Sequence, residues 1–527
     1  MIDKNKKRLK ILSILSFFLL CISANAQEKY WVYFNSKTKT EVSPAEYLSN
    51  AAIQRRIAMH VDICDSTDWP VDSSYISIVE SLGVKIGYSS RWMNAVAIYT
   101  SNRELSKVKN LPFVKKVQPM DYYTVTAASD ENEIPLLVNN DLLDAQIKNL
   151  QGSEFIQRGI NGKGIRIAVF DGGFPGVQTN PVFAHLRENH QIIKTFDFVK
   201  KSENVYDYML HGSSVLSCIA GIYGDKNIGL ATGAEFLLAR TEVKSEVKAE
   251  EEYWMAAMEW ADQNGADIIS SSLGYTDKRY TVKDMNGHSS LVTKAAAIAA
   301  RKGILVINAM GNDGRENWEV MGAPADADSV LSIGGVDPFL GYHINFSSFG
   351  PTSDYRIKPN VCAPGIAMVA SSNSLKKGFG TSYSTPLIAG FAACVWQLNR
   401  KKNNMEIFHL IEKSGHLYPY FDYAHGYGIP QASYFFKESN IIADTKELII
   451  FNPELESVKI SVTDLSKSDK KYMNYLYYHI QNQKGVLKYY AVVDVSDRDV
   501  VAVPMSKLDK GDILRVYYKG FIKEMNF

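Results

Sequence analysis

The sequence predicts an α/β protein: a parallel-sheet domain in the middle, a smaller ferredoxin-like α+β unit before it and a β-sandwich after it. Three observations carry that expectation. Between about Gly162 and Ala432, strand-like runs (Ile165–Phe170, Phe236–Ala239, Asp267–Ser270, Ile304–Ile307) alternate with helical segments. Strands of a parallel sheet are buried on both faces and read as apolar runs in place of strict alternation. Helical period recurs between them: Trp254, Ala257, Met258 and Ala261 stand at i, i+3, i+4 and i+7, and Leu291–Arg301 is rich in alanine. From 439 to 527 that period gives way to short tyrosine- and valine-rich strands with turns such as Gln483-Lys484-Gly485, the pattern of a sandwich.

At 527 residues the chain is too long for a single core. Lys4, Lys6, Lys7, Arg8 and Lys10 precede an apolar run from Ile11 to Ile22, and Ala24-Asn25-Ala26 follows. Basic, apolar, then A-x-A is the layout of a secretory signal peptide over 1–26, too short to be a comfortable membrane span. Leu20 before Cys21 is too bulky for a lipid anchor, and export with cleavage after Ala26 is expected. Residues 27–124 make the small unit: Tyr30–Phe34 and Ala95–Tyr99 read as strands, Asn102–Asn110 as a helix and Phe113–Val117 as a further strand. Residues 125–150, which include the polar Ser129–Glu133, are assigned to a linker or the start of the mature enzyme, ahead of the large domain at 151–438.

A formal net charge of +1 leaves no electrostatic footprint for nucleic acid or an anionic membrane. Cys64, Cys218, Cys362 and Cys394, which remain after the signal, show no C-x-x-C pairing and no metal-ligand spacing, so buried free thiols are expected.

Three residues of the large domain fit one chemistry. Asp171 ends the first apolar strand, and in a parallel sheet the carboxyl ends of strands face the functional crevice. His211 opens His211-Gly212-Ser213-Ser214-Val215 at the start of a small-residue helix, where one ring nitrogen can meet a carboxylate and the other a hydroxyl. Ser382 lies in Gly380-Thr381-Ser382-Tyr383-Ser384-Thr385-Pro386, directly before Ile388, Phe391, Ala392 and Val395 at helical spacing. A serine on the first turn of a helix sits among free N–H groups at the positive end of the dipole, which favours a developing anion. Singly, each has a plainer reading: a turn-forming Asp, a surface or capping His, an N-cap Ser.

Together, Ile167–Gly173, His211–Val215 and Gly380–Pro386 resemble the three signature blocks of subtilisin-like serine proteases, in the Asp, His, Ser order that separates them from chymotrypsin and the α/β-hydrolases. Ser271-Ser272-Leu273-Gly274 resembles that family's substrate-binding strand. Ala309-Met310-Gly311-Asn312 resembles the segment with its oxyanion asparagine and the opposite wall of the S1 pocket. Arg91–Val96 and Leu111–Val117 are similar to the family's inhibitory propeptide, and Lys507–Val516 resembles, more faintly, a type IX secretion sorting domain, with an accessory sandwich as the alternative. The resemblance implies a secreted endopeptidase made as a zymogen. Asp171, His211 and Ser382 would be catalytic and Asn312 the oxyanion donor, with Ser272, Leu273, Gly274, Ala309, Met310 and Gly311 on the substrate. Its partners would be polypeptide substrates, its own propeptide and the secretion machinery, with localisation outside the cell.

No cofactor is expected for catalysis. Structural calcium, common in the family, stays open because Ile222–Ile228 matches no ligand loop clearly. His185–His190 fits neither HExxH nor HxxEH and is expected to be a solvated helix. Three residues depart from the pattern: Gly172 stands for the usual Ser or Thr, Ser214 for a frequent second histidine, and Met310 for a small residue, a change expected to narrow or reshape S1. A catalytically silent binding protein on the same scaffold and a metallohydrolase are the competing classes; fluorophosphonate labelling and chelation separate them.

Overall fold

The computed structural model describes residues 28–37, 43–120, 125–126, 138–243, 245–246, 249–276, 279–372, 374–436, 448–463 and 474–527. The signal peptide expected over 1–26 and the polar Ser129–Glu133 lie outside them. The chain forms two compact units, one of residues 1–43, 64–125 and 247–252, the other of 44–63, 126–246 and 253–527.

The first unit is an antiparallel sheet of β1 (Glu28–Phe34), β2 (Lys85–Ser90), β3 (Ala95–Thr100) and β4 (Val114–Met120), with α1 (Ser73–Ser81) and α2 (Asn102–Lys109) in its connections. The order β2-β3-β1-β4 and the succession β-α-β-β-α-β make it ferredoxin-like, as expected. Val32, Phe34, Val96 and Ile98 of the sheet close on Val79, Leu105 and Val108 of the helices.

In the second unit, α3 (Asn140–Lys148) occupies the later half of the stretch read as a linker. Its short apolar face is covered: Leu142, Leu143, Gln146 and Ile147 are buried, and Gln146 Nε2 donates to the carbonyls of Ile228 (2.8 Å) and Met368 (3.3 Å). A buried amide so satisfied anchors the helix, so this part of 125–150 packs into the large unit and is not an exposed linker.

The centre of the unit is a seven-stranded sheet. Its strands are β5 (Arg166–Asp171), β6 (Ile192–Asp197), β7 (Glu235–Arg240), β8 (Ile268–Ser271), β9 (Leu305–Ala309), β10 (Val330–Val336) and β11 (Val361–Pro364). All pair in parallel, in the order β11-β10-β9-β8-β5-β7-β6. The succession runs one way from β8 to β11 and the other through β7 and β6, so β5 lies at the switch point, where the carboxyl ends of α/β strands open into a crevice. The antiparallel pair β12 (Ile366–Ala370) and β13 (Leu375–Phe379) leads into the long helix described below. Helices α4 (His211–Ala220), α5 (Ala249–Gln263) and α6 (Leu291–Arg301) fill the crossovers.

Helix α7 (Thr381–Leu398) follows β13, and α8 (Asn404–Lys413) follows it. Sequence periodicity gave α7 one apolar face, yet every residue from Tyr383 to Trp396 is buried. A helix apolar all round is one enclosed on all sides. A further helix, Asn50–Ala58, also belongs to this unit: Arg55 and Arg56 both pair with Asp262 at the end of α5, all three side chains almost inaccessible to solvent.

Residues from 448 on form two antiparallel sheets. One is β14 (Ile449–Pro453), β15 (Ser457–Val462) and β18 (Val500–Pro504); the other is β17 (Leu487–Asp494), β16 (Tyr475–Gln481), β19 (Ile513–Tyr518) and β20 (Phe521–Asn526). Their shared core includes Ile449, Ile460, Leu476, Ile480, Val503 and Val516. The second sheet meets the loop 416–427 through a buried cluster of Leu417, Tyr420, Tyr477 and Tyr517. His479 stacks on Tyr420 (centroids 4.9 Å apart) and donates Nδ1–H to the Phe421 carbonyl at 2.6 Å. Asp512, which departs from the sorting-domain pattern, accepts from the Asp509 N–H and pairs with Lys488.

Cys218, Cys362 and Cys394 are buried free thiols, as expected, while Cys64 is half-buried. Burial pushes the three enclosed thiols far above their ordinary range, which makes them unreactive.

Candidate active site

Asp171 is the last residue of β5 and fully buried. Its Oδ1 accepts the Gly172 N–H at 2.7 Å, and both carboxylate oxygens lie 3.0 Å from His211 Nδ1. A carboxylate in that position fixes the imidazole with its proton on Nδ1 and leaves Nε2 free of that proton. His211 is the first residue of α4, partly open to solvent.

Close contacts draw α4 against the Asp171 turn. A Cβ at Gly212 would lie 2.2 Å from the Gly173 carbonyl and 2.9 Å from Asp171 Cβ, so only glycine fits behind the histidine. Ser214, in place of the family's second histidine, donates to the Ala370 carbonyl at 2.7 Å, and Ser217 Oγ accepts the Ala370 N–H at 2.9 Å. Two hydroxyls thus tie α4 to β12. Gly172 has an equally local reason. A Cβ there would stand 2.7 Å from Met209 Sδ and 3.0 Å from Met209 Cβ, so Met209 fills the volume where the resembling family carries a hydroxyl side chain.

Ser382 is the second residue of α7, after Gly380 at φ 143°. Its N–H is one of the first-turn donors without an intrahelical acceptor. Pro386 stands four residues on and has no N–H to give the Ser382 carbonyl; Ser272 Oγ supplies the bond instead, at 2.9 Å. Ser382 Oγ donates to the Ser272 carbonyl at 3.4 Å.

Asn312 follows β9 and is exposed. Its Oδ1 accepts from Thr381 N–H at 2.8 Å and Thr381 Oγ1 at 3.0 Å. With the oxygen so occupied, the Nδ2 donors are turned away from Thr381, and a Cβ placed at Gly380 would lie 3.2 Å from Nδ2.

The structure therefore brings Asp171 to His211, Ser382 to Ser272, and Asn312 to the residue before Ser382. His211 and Ser382 have no direct hydrogen bond; the imidazole packs beside Tyr383, ring centroids 5.7 Å apart. Ser272, Leu273 and Gly274 leave the end of β8, and Ala309–Gly311 leave the end of the adjacent β9, so the two segments come from neighbouring strand ends. Gly322 Cα stands 4.0 Å from a Cβ built on Gly274. Met310 is fully buried. Thr381, Met209 and Gly322 went unnoticed in the sequence; Thr381 had a signal, being the neighbour of the serine.

Among the described residues no group of three or more His, Cys, Asp or Glu side chains stands close enough to hold a metal ion, and no helix is long and apolar enough to cross a membrane. His185–His190 includes a short helix (Ala184–Glu188) with Leu186 buried and a half-buried His185 held below its ordinary pKa by burial.

An Asp–His pair at the switch point of a parallel sheet, beside a serine on a buried helix, is the arrangement of one protease class. Residues 162–428, just over half of the chain, match the subtilase family of Peptidase S8, and the chain belongs to that family. Residues 29–133 match a Peptidase S8 propeptide domain of Bacteroidota, so this is a subtilisin-family serine protease with a propeptide domain. A thermostable alkaline protease of Halalkalibacterium halodurans is 26% identical over 333 residues, 62% of this chain and 79% of the relative. The major intracellular serine protease of Bacillus subtilis is 27% identical over 294 residues, 52% of this chain and 85% of that protein. Among solved structures, the epidermin leader peptide processing serine protease of Staphylococcus aureus superposes with a TM-score of 0.56 at 17% identity, over 79% of this chain and all of that one, which speaks for the fold alone.

Proposed function

We propose that the protein is a secreted serine endopeptidase, made as a zymogen, which cleaves peptide bonds through Asp171, His211 and Ser382. The observation that carries this is the pair of 3.0 Å contacts from His211 Nδ1 to the buried Asp171 carboxylate. With that proton held, Nε2 is the base. Ser382 Oγ attacks the scissile carbonyl as His211 takes its proton, and the same proton then goes to the leaving amine. Catalytic hydrogen bonds are often long or poorly aligned before substrate binds and tighten in the complex. The tetrahedral oxyanion would be held by Asn312 Nδ2 and the Ser382 N–H. Water resolves the acyl-enzyme by the same steps in reverse order. Ser272–Gly274 and Ala309–Gly311 would bind the substrate backbone as the two walls of the S1 groove.

Residues 27–124 act in this reading as the intramolecular inhibitor, removed by the enzyme itself, and residues 1–26 export the chain. Residues 439–527 then serve either the type IX secretion machinery or the catalytic domain directly. The Ser382→Ala chain should accumulate as an unprocessed species, and a fluorophosphonate should label the wild type but not the variant. Normal processing and labelling in the variant would end the proposal. Secretion of a chain lacking 440–527 would assign that region to the enzyme and not to export.

A further inference from the structure

Arg240 is a buried cation that the reaction as described does not use. It ends β7, in register with Asp171 on one side and Asp197 on the other. Only 5% of its surface is accessible. Its guanidinium makes three contacts with three different segments. Nε–H donates to the Gly172 carbonyl at 3.1 Å, the second residue of the Asp171 turn. Nη1–H donates to Asp197 Oδ2 at 2.9 Å at the end of β6. Its plane lies 3.5 Å from the ring centroid of Tyr208, three residues before His211.

The loop under that ring needs a restraint. Tyr208 sits at φ 76°, a conformation that bulky residues avoid. The loop is pressed onto the Asp171 turn, because a Cβ at Gly173 would lie 2.3 Å from the Asp207 carbonyl, and Phe174 N–H donates to the Val205 carbonyl at 2.8 Å. Asp197 is itself fixed: its Oδ1 accepts the N–H groups of Val199 and Lys200, both at 2.9 Å. A planar, forked cation suits this place, since it can donate in its plane while an aromatic ring covers its face.

Resting on the protease reading above, we infer that Arg240 is a positioning residue, a brace that sets the Asp171 carboxylate and the His211 imidazole at their working separation. It touches the turn after one and the loop before the other, and is anchored to a third strand. It reaches neither substrate nor reacting atoms.

The test compares Arg240→Gln, Tyr208→Ala and Tyr208→Phe, each expressed as the full chain and assayed after maturation. Arg240→Gln should lower kcat about 10- to 100-fold, the scale of an ångström-sized misplacement of a reacting group, with KM changed less than about threefold. The downfield proton NMR resonance of the His211 Nδ1–H bound to Asp171 should broaden or vanish in the folded variant. Tyr208→Ala should follow the same direction, and Tyr208→Phe, which keeps the ring face, should restore the wild-type value to within about threefold. An inactive wild type would sink the protease reading instead. Unchanged kcat with the resonance intact, or a rise in KM alone, overturns the brace. Should Arg240→Gln not fold, the half-exposed Tyr208 pair decides: equal kcat in the Ala and Phe variants overturns it.

Discussion

Gly172 should be unable to accept a side chain unless Met209 is reduced at the same time. A Cβ added there meets Met209 Sδ at 2.7 Å, Cβ at 3.0 Å and Cε at 3.3 Å. The thioether end can swing aside; Met209 Cβ moves only with the backbone of the loop that leads to His211. Overpacking of this kind costs about 1–3 kcal/mol. Because the Gly172 N–H is bonded to Asp171, part of the displacement reaches the carboxylate. Gly172→Ser should therefore lose about 1–3 kcal/mol of stability and roughly tenfold in kcat, a factor equivalent to about 1.4 kcal/mol. Met209→Ala, at a half-buried position, should cost about 1 kcal/mol by itself. The double variant should be more stable than the sum of the singles by about 1–2 kcal/mol, the range found for residues in contact. Urea unfolding of the four proteins, with kcat on a peptide substrate, measures the cycle. Additivity within about 0.5 kcal/mol would refute the reasoning and leave Gly172 without a steric cause.

Further outcomes follow from other contacts. Thr381→Val keeps the N–H to Asn312 but deletes the hydroxyl, which is within hydrogen-bond reach of Asn312 Oδ1 and of the Gly311 N–H and carbonyl, at about 0.5–1.5 kcal/mol for each bond lost; kcat should fall by about 3- to 10-fold. Asn312→Ala should fall about 10²–10³-fold, a range known from the oxyanion asparagine of a subtilisin, and equal losses in the two variants would contradict this order. Asp262→Ala removes the carboxylate shared by two buried guanidiniums, and breaking such a pair costs about 3–5 kcal/mol. Thermal unfolding of the Ser382→Ala chain should show it, and an unshifted midpoint would mean that the arginines find other partners. Acid should weaken the joint between the sandwich and loop 416–427. Burial, first of all, holds His343, His416 and His479 at about 4, against an ordinary 6.5, with His425 adding repulsion at the first two. Their folded pKa is depressed, so they favour the neutral folded state fully above pH 6.5, and stability is lost as pH falls from there toward 4. His479→Leu should flatten that slope in urea midpoints taken between pH 7.5 and 4.5; an unchanged slope would exclude His479 as a contributor.

What was readable in the chain was whatever is local in it. Asp171 at a strand end, His211 at a helix start and the small-residue approach to Ser382 are properties of a few consecutive residues, and the apolar runs around them announce a parallel sheet. Contacts across the fold were not readable. Met209 explains Gly172 only because a loop 37 residues away returns to the same turn. Arg240 carries no local signal of its place, since the Tyr208 ring on its face comes from a loop 32 residues earlier in the chain. Helix α3 is hard to tell from a linker in the sequence because its nine residues follow a polar stretch and Gln146 finds its partners on the distant Ile228 and Met368.

Helix α7 has a consequence for how the enzyme ages. Its amides from Tyr383 to Trp396 sit in an envelope with no face toward water, so solvent deuterium can reach them only when the whole domain opens. The platform under Ser382 should therefore be among the last backbone to exchange, while the loop carrying Tyr208 and Met209 exchanges early. Wear at the nucleophile and loss of the folded domain then become a single event, whereas drift in the Asp171–His211 geometry can come first, with the domain still standing.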